Sequence, residues 1–142
     1  MEVVNCFQCN VPATLVEAPH TRMMGDRPTR FVDRFYRCDR CGEAFYVGGM
    51  ADDSLQRASA VARAQDRLLT PQEIVAIRQT YGLTQAQLER LIGAGAKTVV
   101  RWERGTVVQN RTADTLLRVL RDHPEVVARL AEQNGVRIRA AA

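Results

Sequence analysis

The 142-residue sequence predicts an α+β protein of two domains, a small β module with a connector helix and then an all-α domain of five helices. Two observations predict this division. Two C-x2-C pairs and short runs of β-branched and aromatic residues fill the first 48 residues. After residue 70, apolar residues recur at helical spacing between residues that begin and end helices. We therefore expect a first domain over residues 1–69 and a second over residues 70–142.

Four cysteines stand in two pairs that are separated by 28 residues, at Cys6, Cys9, Cys38 and Cys41. The sequence contains no secretory signal pattern and no run near the roughly 20 apolar residues of a membrane span, so we expect a cytoplasmic protein without membrane contact. Because cytosolic thiols stay reduced, the spacing favours a metal over disulfides. Four sulfur ligands suit one structural Zn²⁺ per chain and leave no open position for catalysis. The competing interpretation, a redox pair, requires a βαβ setting that neither pair has.

The β module is expected to contain three strands near this metal. Runs rich in β-branched and aromatic residues predict strands over Thr14–Ala18, Arg30–Arg37 and Ala44–Val47. Between the first two lies Thr21–Pro28, whose glycine, aspartate and proline predict a turn or mobile loop. A module of this size buries little apolar surface, so we expect zinc to supply on the order of 10 kcal/mol of its folding free energy.

Helices are expected on both sides of the domain boundary. The alanine-rich tract within residues 50–67 predicts the connector helix. The next helix begins with Thr70 as N-cap, a proline at the first helical position and Glu73 as capping-box partner, and Gly82 ends it.

Residues 83–105 predict two short helices joined by a tight turn. Thr84 is an N-cap with Gln87 as its capping-box partner, and apolar residues then recur at helical spacing. The Gly-Ala-Gly run of residues 93–95 interrupts the pattern with residues that tolerate positive φ. A second helix is expected from about Ala96 to the residue before the next glycine. This arrangement predicts a helix-turn-helix, and an ordinary helical hairpin is the alternative.

The second of these helices carries candidate DNA contacts. Trp102 is expected to point inward, while Lys97 and Arg101 share the outer face. In a major groove Arg101 can bind guanine O6 and N7, and Lys97 can bind the same acceptors or a phosphate. Thr98 suits a thymine methyl group or a phosphate, and Gln85, beside the preceding N-cap, suits a phosphate.

The charge distribution favours the same interpretation. The net charge is +4. Residues 70–142 carry eleven Lys or Arg and seven Asp or Glu, whereas residues 1–69 carry nine of each. The whole positive excess therefore lies with the predicted helix-turn-helix, as binding to DNA phosphates requires.

Two further helices are expected over about residues 112–122 and from Pro124 to Gly135, and residues 136–142 are expected to fray. One short recognition helix reads few bases, so we expect a symmetric homodimer on a palindromic double-stranded operator. Apolar residues of the last two helices are the candidates for the dimer interface: Leu116, Leu120 and Val127.

The helix-turn-helix segment resembles the repressor family that includes phage Cro and cI, through the landmarks LTQ and RWERG. The whole chain is similar to the MqsA antitoxin family, the YgiT-type zinc-finger antitoxins. The segments that carry this resemblance are CFQC, YRCDRCGEAFY, the alanine-rich connector, LTQAQLERLIGAGAKTVVRWERG and LLRVLRDHPEVV.

This resemblance implies an antitoxin that represses its own operon and neutralises a ribonuclease toxin of the MqsR type. It also implies that the zinc module contacts the toxin and that the C-terminal domain dimerises. We expect the zinc module, with the connector to about Arg67, to bind the toxin through an extended strand or through the aromatic-rich edge around Phe31, Phe35 and Tyr36. Packing in the module's core is the alternative for each of these aromatic residues. The family's recognition helix carries Asn where Lys97 stands, so the operator sequence stays open.

Two other functions remain as alternatives. One is a zinc-containing helix-turn-helix regulator without a toxin partner, which a neighbouring toxin gene would exclude. The other is an enzyme. The two histidines, His20 and His123, have no Ser, Cys or carboxylate at a spacing that suggests a nucleophile system, so we expect no catalytic residue.

Overall fold

The structure is a computed structural model that describes residues 2–139. Within this range it is α+β, as predicted, with three strands and six helices. None of these helices combines the length and hydropathy needed to cross a membrane. The elements in chain order are β1 (Ala13–Met24), β2 (Arg27–Cys38), β3 (Ala44–Phe45), α1 (Met50–Asp66), α2 (Pro71–Thr80), α3 (Gln85–Ile92), α4 (Thr98–Arg104), α5 (Arg111–Asp122) and α6 (Pro124–Asn134).

The strands form one antiparallel sheet in the order β1-β2-β3. β1 and β2 form a long hairpin that pairs from Ala13 and Cys38 at one end to Met24 and Arg27 at the other. β3 contributes two residues and pairs with β2 only near the Cys38 end. The hairpin is therefore two-stranded over most of its length.

The predicted loop over Thr21–Pro28 is wrong. Both strands continue through this segment, and only Gly25 and Asp26 lie in the turn between them. Gly25 has φ +68°, which a glycine adopts without steric cost and which permits so tight a turn. Pro28 is tolerated within β2 because β2 has a neighbour on one side only at this point.

The hairpin has two unlike faces, because successive side chains of a strand point to opposite sides. The inner face includes the buried side chains of Thr29, Phe31 and Asp33 on β2. The outer face exposes apolar side chains from both strands: Leu15, Met23 and Val32.

The chain folds into two compact units, Met1–Val61 and Ala62–Ala142. The dividing point lies inside α1, so this helix contributes to both units. The domain assignment to residues 1–69 and 70–142 stays a prediction.

The second unit contains the main hydrophobic core. Ile74, Ile77 and Tyr81 of the α2 region are buried there, as their helical spacing predicts. Both predicted capping boxes are present, since Thr70 and Thr84 accept from the backbone N–H three residues on and receive the reciprocal side-chain bond. These caps explain why the start of each helix follows from the sequence.

The C-terminal segment is more ordered than its sequence predicts. Val136 is 8% exposed and packs in the core, and Arg139 donates its backbone N–H to Tyr81 O at 2.9 Å. The expected fraying of residues 136–139 is therefore wrong, and residues 140–142 lie outside the described range.

Candidate metal centre and nucleic-acid interface

The two C-x2-C pairs lie on knuckles with the same backbone geometry. Cys6 donates its N–H to Val11 O and accepts at its carbonyl from the N–H of Asn10, both at 2.8 Å. In the same way, Cys38 donates its N–H to Glu43 O, and its carbonyl accepts from the N–H of Gly42. Asn10 and Gly42 have φ +55° and +76°, the left-handed region in which Asn and Gly are favoured. The sequence supplies the turn residue that each knuckle needs.

The knuckles bring all four thiols together. The sulfur atoms of Cys6, Cys9, Cys38 and Cys41 lie within 4.8 Å of one another. The Sγ atoms of Cys6 and Cys41 are 3.7 Å apart, and all four cysteines are free rather than disulfide-bonded. Four sulfurs at about 2.3 Å from a central Zn²⁺ would stand about 3.8 Å from each other in a tetrahedron. The cluster therefore has the dimensions of a tetrahedral thiolate metal site.

Backbone N–H groups prepare one of these thiols for metal binding. Cys38 Sγ accepts from the N–H groups of Cys41 and Arg40, each at 3.4 Å, and these bonds lower the pKa of Cys38 to about 7. The pKa of Cys9 is instead raised to about 12, because its thiol hydrogen-bonds to Cys41 and lies beside the other sulfurs. Four thiolates repel one another unless a cation lies among them, so the donor set favours a bound metal.

α3, a short turn and α4 occupy the segment for which the sequence predicts a helix-turn-helix. Gly93 ends α3 with φ +75°, and Gly105 ends α4 with φ +78°. Trp102 is 6% exposed and packs in the core, as predicted. Arg101 is exposed and Thr98 is half-buried, at the first position of α4.

The predicted start of the recognition helix is wrong by two residues. α4 begins at Thr98, and Lys97 is its N-cap with φ +68°, a left-handed conformation that is uncommon for lysine. As N-cap, Lys97 accepts the backbone N–H of Arg101 at its carbonyl, at 3.1 Å, but its own φ is not helical. Its side chain is exposed, and its contact with DNA stays a prediction.

Gln85 takes part in a network that the sequence did not predict. Its side-chain amide donates to Glu103 Oε1 at 3.1 Å. Arg78 donates to the same carboxylate through Nε at 2.8 Å and Nη2 at 2.9 Å. This largely buried ion pair raises the pKa of Arg78 and joins α2 and α3 to α4. The phosphate contact of Gln85 stays a prediction.

A second polar network lies inside the second unit. Asp114 accepts from Leu69 N–H at 2.8 Å, from Gln109 Nε2 at 3.2 Å and from Arg118 Nε at 2.8 Å. Burial alone would raise the pKa of Asp114, but these hydrogen bonds outweigh it and hold the pKa below its ordinary value. The network holds the segment that precedes α2 against α5.

Two of the three dimer candidates are not accessible in this structure. Leu120 is 1% exposed and Val127 is fully buried, both within the core of their own chain. Helical spacing places a residue on the apolar face but does not tell which neighbour covers it. Leu116 is half-buried and remains the candidate for contact with a second chain.

The three candidate toxin contacts do not form one surface. Phe31 is 5% exposed on the inner face, so for this residue the core alternative is correct. Phe35 is half-buried on the same face, and Tyr36 lies on the opposite one, where its ring stacks on Phe45 with centroids 6.0 Å apart. A strand cannot present adjacent residues to one partner face, which the sequence prediction overlooked.

Exposed large apolar side chains concentrate in the first unit. Among the described residues, eight such side chains are exposed, and Val107 is the one that belongs to the second unit. The seven in the first unit are Val3, Phe7, Leu15, Met23, Val32, Tyr46 and Val47.

The two histidines lie on different parts of the chain. His20 lies on β1 rather than in a loop, and its ring meets Phe31 edge-on with centroids 5.9 Å apart. His123 lies between α5 and α6, and its Nδ1 is 3.1 Å from a carboxylate oxygen of Glu125 at the surface.

Sequence reasoning also missed Glu89, which is 7% exposed. Glu89 stands three residues before Ile92 and thus faces the apolar side of α3. A carboxylate in that position signals a buried partner, but the pattern does not tell which group it is.

Comparison with known proteins gives a family match over most of the chain. A sequence model of the family described as the antitoxin component of bacterial toxin-antitoxin system, MqsA, matches residues 1–131.

Two curated proteins are similar to this chain. Antitoxin MqsA of Escherichia coli is 25% identical over 123 residues, which cover 86% of this chain and 93% of that protein. Antitoxin HigA-2 of Vibrio cholerae is 36% identical over 64 residues, which cover 45% of this chain and 62% of that protein. The match to HigA-2 thus spans less than two thirds of that antitoxin.

Proposed function

Because this chain belongs to the MqsA antitoxin family and is therefore a non-enzymatic component of a toxin–antitoxin system, we propose that it neutralises a ribonuclease toxin of the MqsR type and represses its own operon. In this proposal the first unit binds one Zn²⁺ and the toxin. The helices α2–α6 form a five-helix helix–turn–helix domain that binds a palindromic operator as a homodimer. Both activities take place in the cytoplasm, where the operon and the toxin's RNA substrates lie.

The four-thiol cluster supports zinc as the resident metal. All four donors are sulfur, and the 3.7 Å separation of Cys6 and Cys41 Sγ fits the edge of a zinc tetrahedron. When bound, zinc supplies a structural crosslink between the knuckles and no reaction. Elemental analysis of protein purified without chelator is expected to give one zinc per chain, and an absence of zinc would contradict this assignment.

The geometry of α3 and α4 carries the proposal of operator binding. Two short helices meet at a glycine turn, Trp102 anchors α4 in the core, and Arg101 on the same helix is exposed. The positive charge excess lies in this half of the chain. An exposed arginine on an anchored helix is what recognition of guanine in a major groove requires.

Binding titrations test the operator proposal with the duplex upstream of the protein's own gene and a scrambled duplex, at one salt concentration. Arg101→Ala is expected to cost about 1–3 kcal/mol per half-site on the operator and much less on the scrambled duplex. Arg129→Ala removes the same charge from an exposed position of α6 and is the matched control. If Arg101→Ala lowered the affinity for both duplexes equally, base recognition would be refuted. Arg101 would then be assigned a phosphate contact.

The outer face of the hairpin supports a toxin-binding surface in the first unit. Leu15, Met23 and Val32 are 43%, 59% and 53% exposed. Between them Glu17 and Arg34 form an ion pair at 3.0 Å, which gives the apolar face a polar centre. Burial of these side chains against a protein partner would remove apolar surface from water, which is favourable in free energy. This face replaces the predicted contact at Phe31.

Relief of growth arrest tests the toxin proposal, with the toxin expressed from the neighbouring gene. Val32→Asp is expected to abolish relief, because a buried unpaired carboxylate opposes complex formation. Val107→Asp changes an apolar residue of similar exposure in the second unit and is expected to relieve arrest like the unchanged protein. Zinc content and circular dichroism establish that both variants are folded.

A zinc-containing regulator without a toxin partner is the alternative function. It predicts operator binding by the unchanged protein but no relief of growth arrest by any variant. The homodimer is tested separately by sedimentation at micromolar concentration, where Leu116→Asp is expected to shift the mass from two chains toward one. A single-chain mass for the unchanged protein would contradict the dimer.

A further inference from the structure

The recognition helix α4 begins without a cap of its own. Thr70, Thr84 and Asn110 each accept a hydrogen bond from a backbone N–H in the first turn of α2, α3 and α5. Lys97, the N-cap of α4, makes no such side-chain bond, and its φ is +68°. The local sequence therefore does little to fix where α4 starts.

The missing cap is supplied by a residue of the preceding helix. Glu89 Oε2 accepts the backbone N–H of Val99, in the first turn of α4, at 2.9 Å. The Val99 N–H is one of the groups at a helix start that has no partner within its own helix. A carboxylate oxygen is a good acceptor for such a group, and Glu89 is shielded from water at 7% exposure.

The backbone of Glu89 holds the other side of the same turn. Its carbonyl oxygen accepts from the N–H of Gly93 at the end of α3 and from the N–H of Ala94 at 2.9 Å. One residue thus binds the end of α3 through its main chain and the start of α4 through its side chain.

We propose that Glu89 is a positioning residue for operator recognition, whose carboxylate caps α4 and fixes the location of Thr98 and Arg101. This inference rests on the proposed operator binding. α4 has only seven residues, too few to be stable as an isolated helix, so its first turn depends on tertiary contacts. Without the carboxylate, the first turn of α4 at Thr98 opens. Thr98 and Arg101 are then no longer held in fixed positions for contact with DNA.

The experiment uses the full-length zinc-loaded protein and three variants. Glu89→Gln keeps an oxygen acceptor of the same reach, and Glu89→Leu keeps the volume but removes the acceptor. Thr70→Ala removes a cap of the same kind from α2 and controls for general loss of stability. Two readouts are measured: hydrogen exchange of the Val99 amide without DNA, and affinity for the upstream and scrambled duplexes at one salt concentration.

Glu89→Leu is expected to speed Val99 exchange and to weaken operator binding roughly tenfold with little change on scrambled DNA, since both half-sites are affected. Glu89→Gln is expected to restore both readouts to within about threefold of the unchanged protein. Thr70→Ala is expected to leave Val99 exchange and the preference for the operator unchanged.

Unchanged Val99 exchange in Glu89→Leu would overturn the capping role. An operator loss no larger than that of Thr70→Ala would overturn the positioning role. If the unchanged protein does not prefer the upstream duplex, the proposed operator binding fails instead, and Val99 exchange alone then decides whether Glu89 caps α4.

Discussion

The two units of the chain differ in what holds them together. In the described part of the first unit the buried apolar side chains are Cys6, Phe31, Cys38 and Ala58, and two of these are cluster thiols. Up to Arg139, where the described chain ends, the second unit buries a contiguous core of fourteen residues, from Leu69 to Val136. We therefore expect the first unit to need the metal that its thiols can hold, whereas the second is stabilised by apolar burial.

The difference explains how the two units present their surfaces. In the first unit Leu15, Met23 and Val32 remain exposed, as a unit held by a metal rather than by an apolar core would allow. A unit held by its core uses nearly all of its apolar side chains internally and exposes charged ones such as Arg101. One arrangement suits a protein partner and the other suits DNA.

Removal of the metal is expected to have the largest effect on the stability of the first unit. Cys38→Ser is expected to release zinc and unfold the sheet, because the metal supplies on the order of 10 kcal/mol. The second unit is expected to keep its helices. Trp102 is the one tryptophan in the chain and lies in the second unit, so its fluorescence reports on that unit alone.

The measurement combines elemental analysis, circular dichroism and tryptophan fluorescence. Arg40→Ser, an exposed change in the same knuckle, is expected to retain the metal and the sheet. Loss of the native Trp102 signal in Cys38→Ser would show that the two units do not fold separately.

The converse test is a substitution in the core of the second unit. Trp102→Ala is expected to destabilise this unit by about 3–5 kcal/mol, because it leaves a large cavity at a 6% exposed position. Urea denaturation followed by helical circular dichroism measures the loss. The zinc content is expected to stay at one per chain, and Val107→Ala at an exposed position is expected to change stability by less than about 0.5 kcal/mol.

A smaller effect concerns the acid dependence of the second unit. Hydrogen bonds hold the pKa of Asp114 below its ordinary value of about 3.9. Its contribution is therefore present above about pH 4 and is lost as the pH falls through the lowered value, because the unfolded state binds the proton first. Asp114→Asn is expected to lower stability by about 1–3 kcal/mol at pH 7 and to flatten this acid dependence.

Urea midpoints from Trp102 fluorescence at pH 7 and pH 3 test this expectation. Asp122→Asn is the matched control, since that carboxylate is exposed and screened by water. If the two variants respond to acid alike, the buried network around Asp114 is not the source of the pH dependence.

The smallest expected effect concerns the backbone at Lys97. Asparagine adopts the left-handed region more readily than lysine, so Lys97→Asn is expected to raise the stability of the second unit by up to about 1 kcal/mol. Lys97→Ala removes the same charge but keeps the unfavourable backbone, and is expected to give no gain. Equal urea midpoints for the two variants would contradict a backbone origin.

Features set by local chemistry could be predicted from the sequence. Thr70 and Thr84 with their capping-box partners fixed two helix starts, and glycines fixed the ends of α3, α4 and α6. The four-cysteine cluster was predictable because sulfur type and spacing together leave few alternatives.

Features set by distant partners could not be predicted. Whether a glycine, aspartate and proline form a loop or a two-residue turn depends on the strands that flank them, as Gly25 and Asp26 show. The burial of Leu120 and the cap from Glu89 to Val99 depend on which helix packs where. A periodic pattern gives the direction of a side chain but not its neighbour.

The length of the hairpin makes limited proteolysis a probe of its far end. Each of its strands has 12 residues, about 40 Å of ribbon, and β3 pairs with β2 only near the Cys38 end. Because the end at Met24 and Arg27 lacks the support of β3, we expect a protease to cut there first while both units are otherwise intact. A partner that covers the hairpin is then expected to slow this cut.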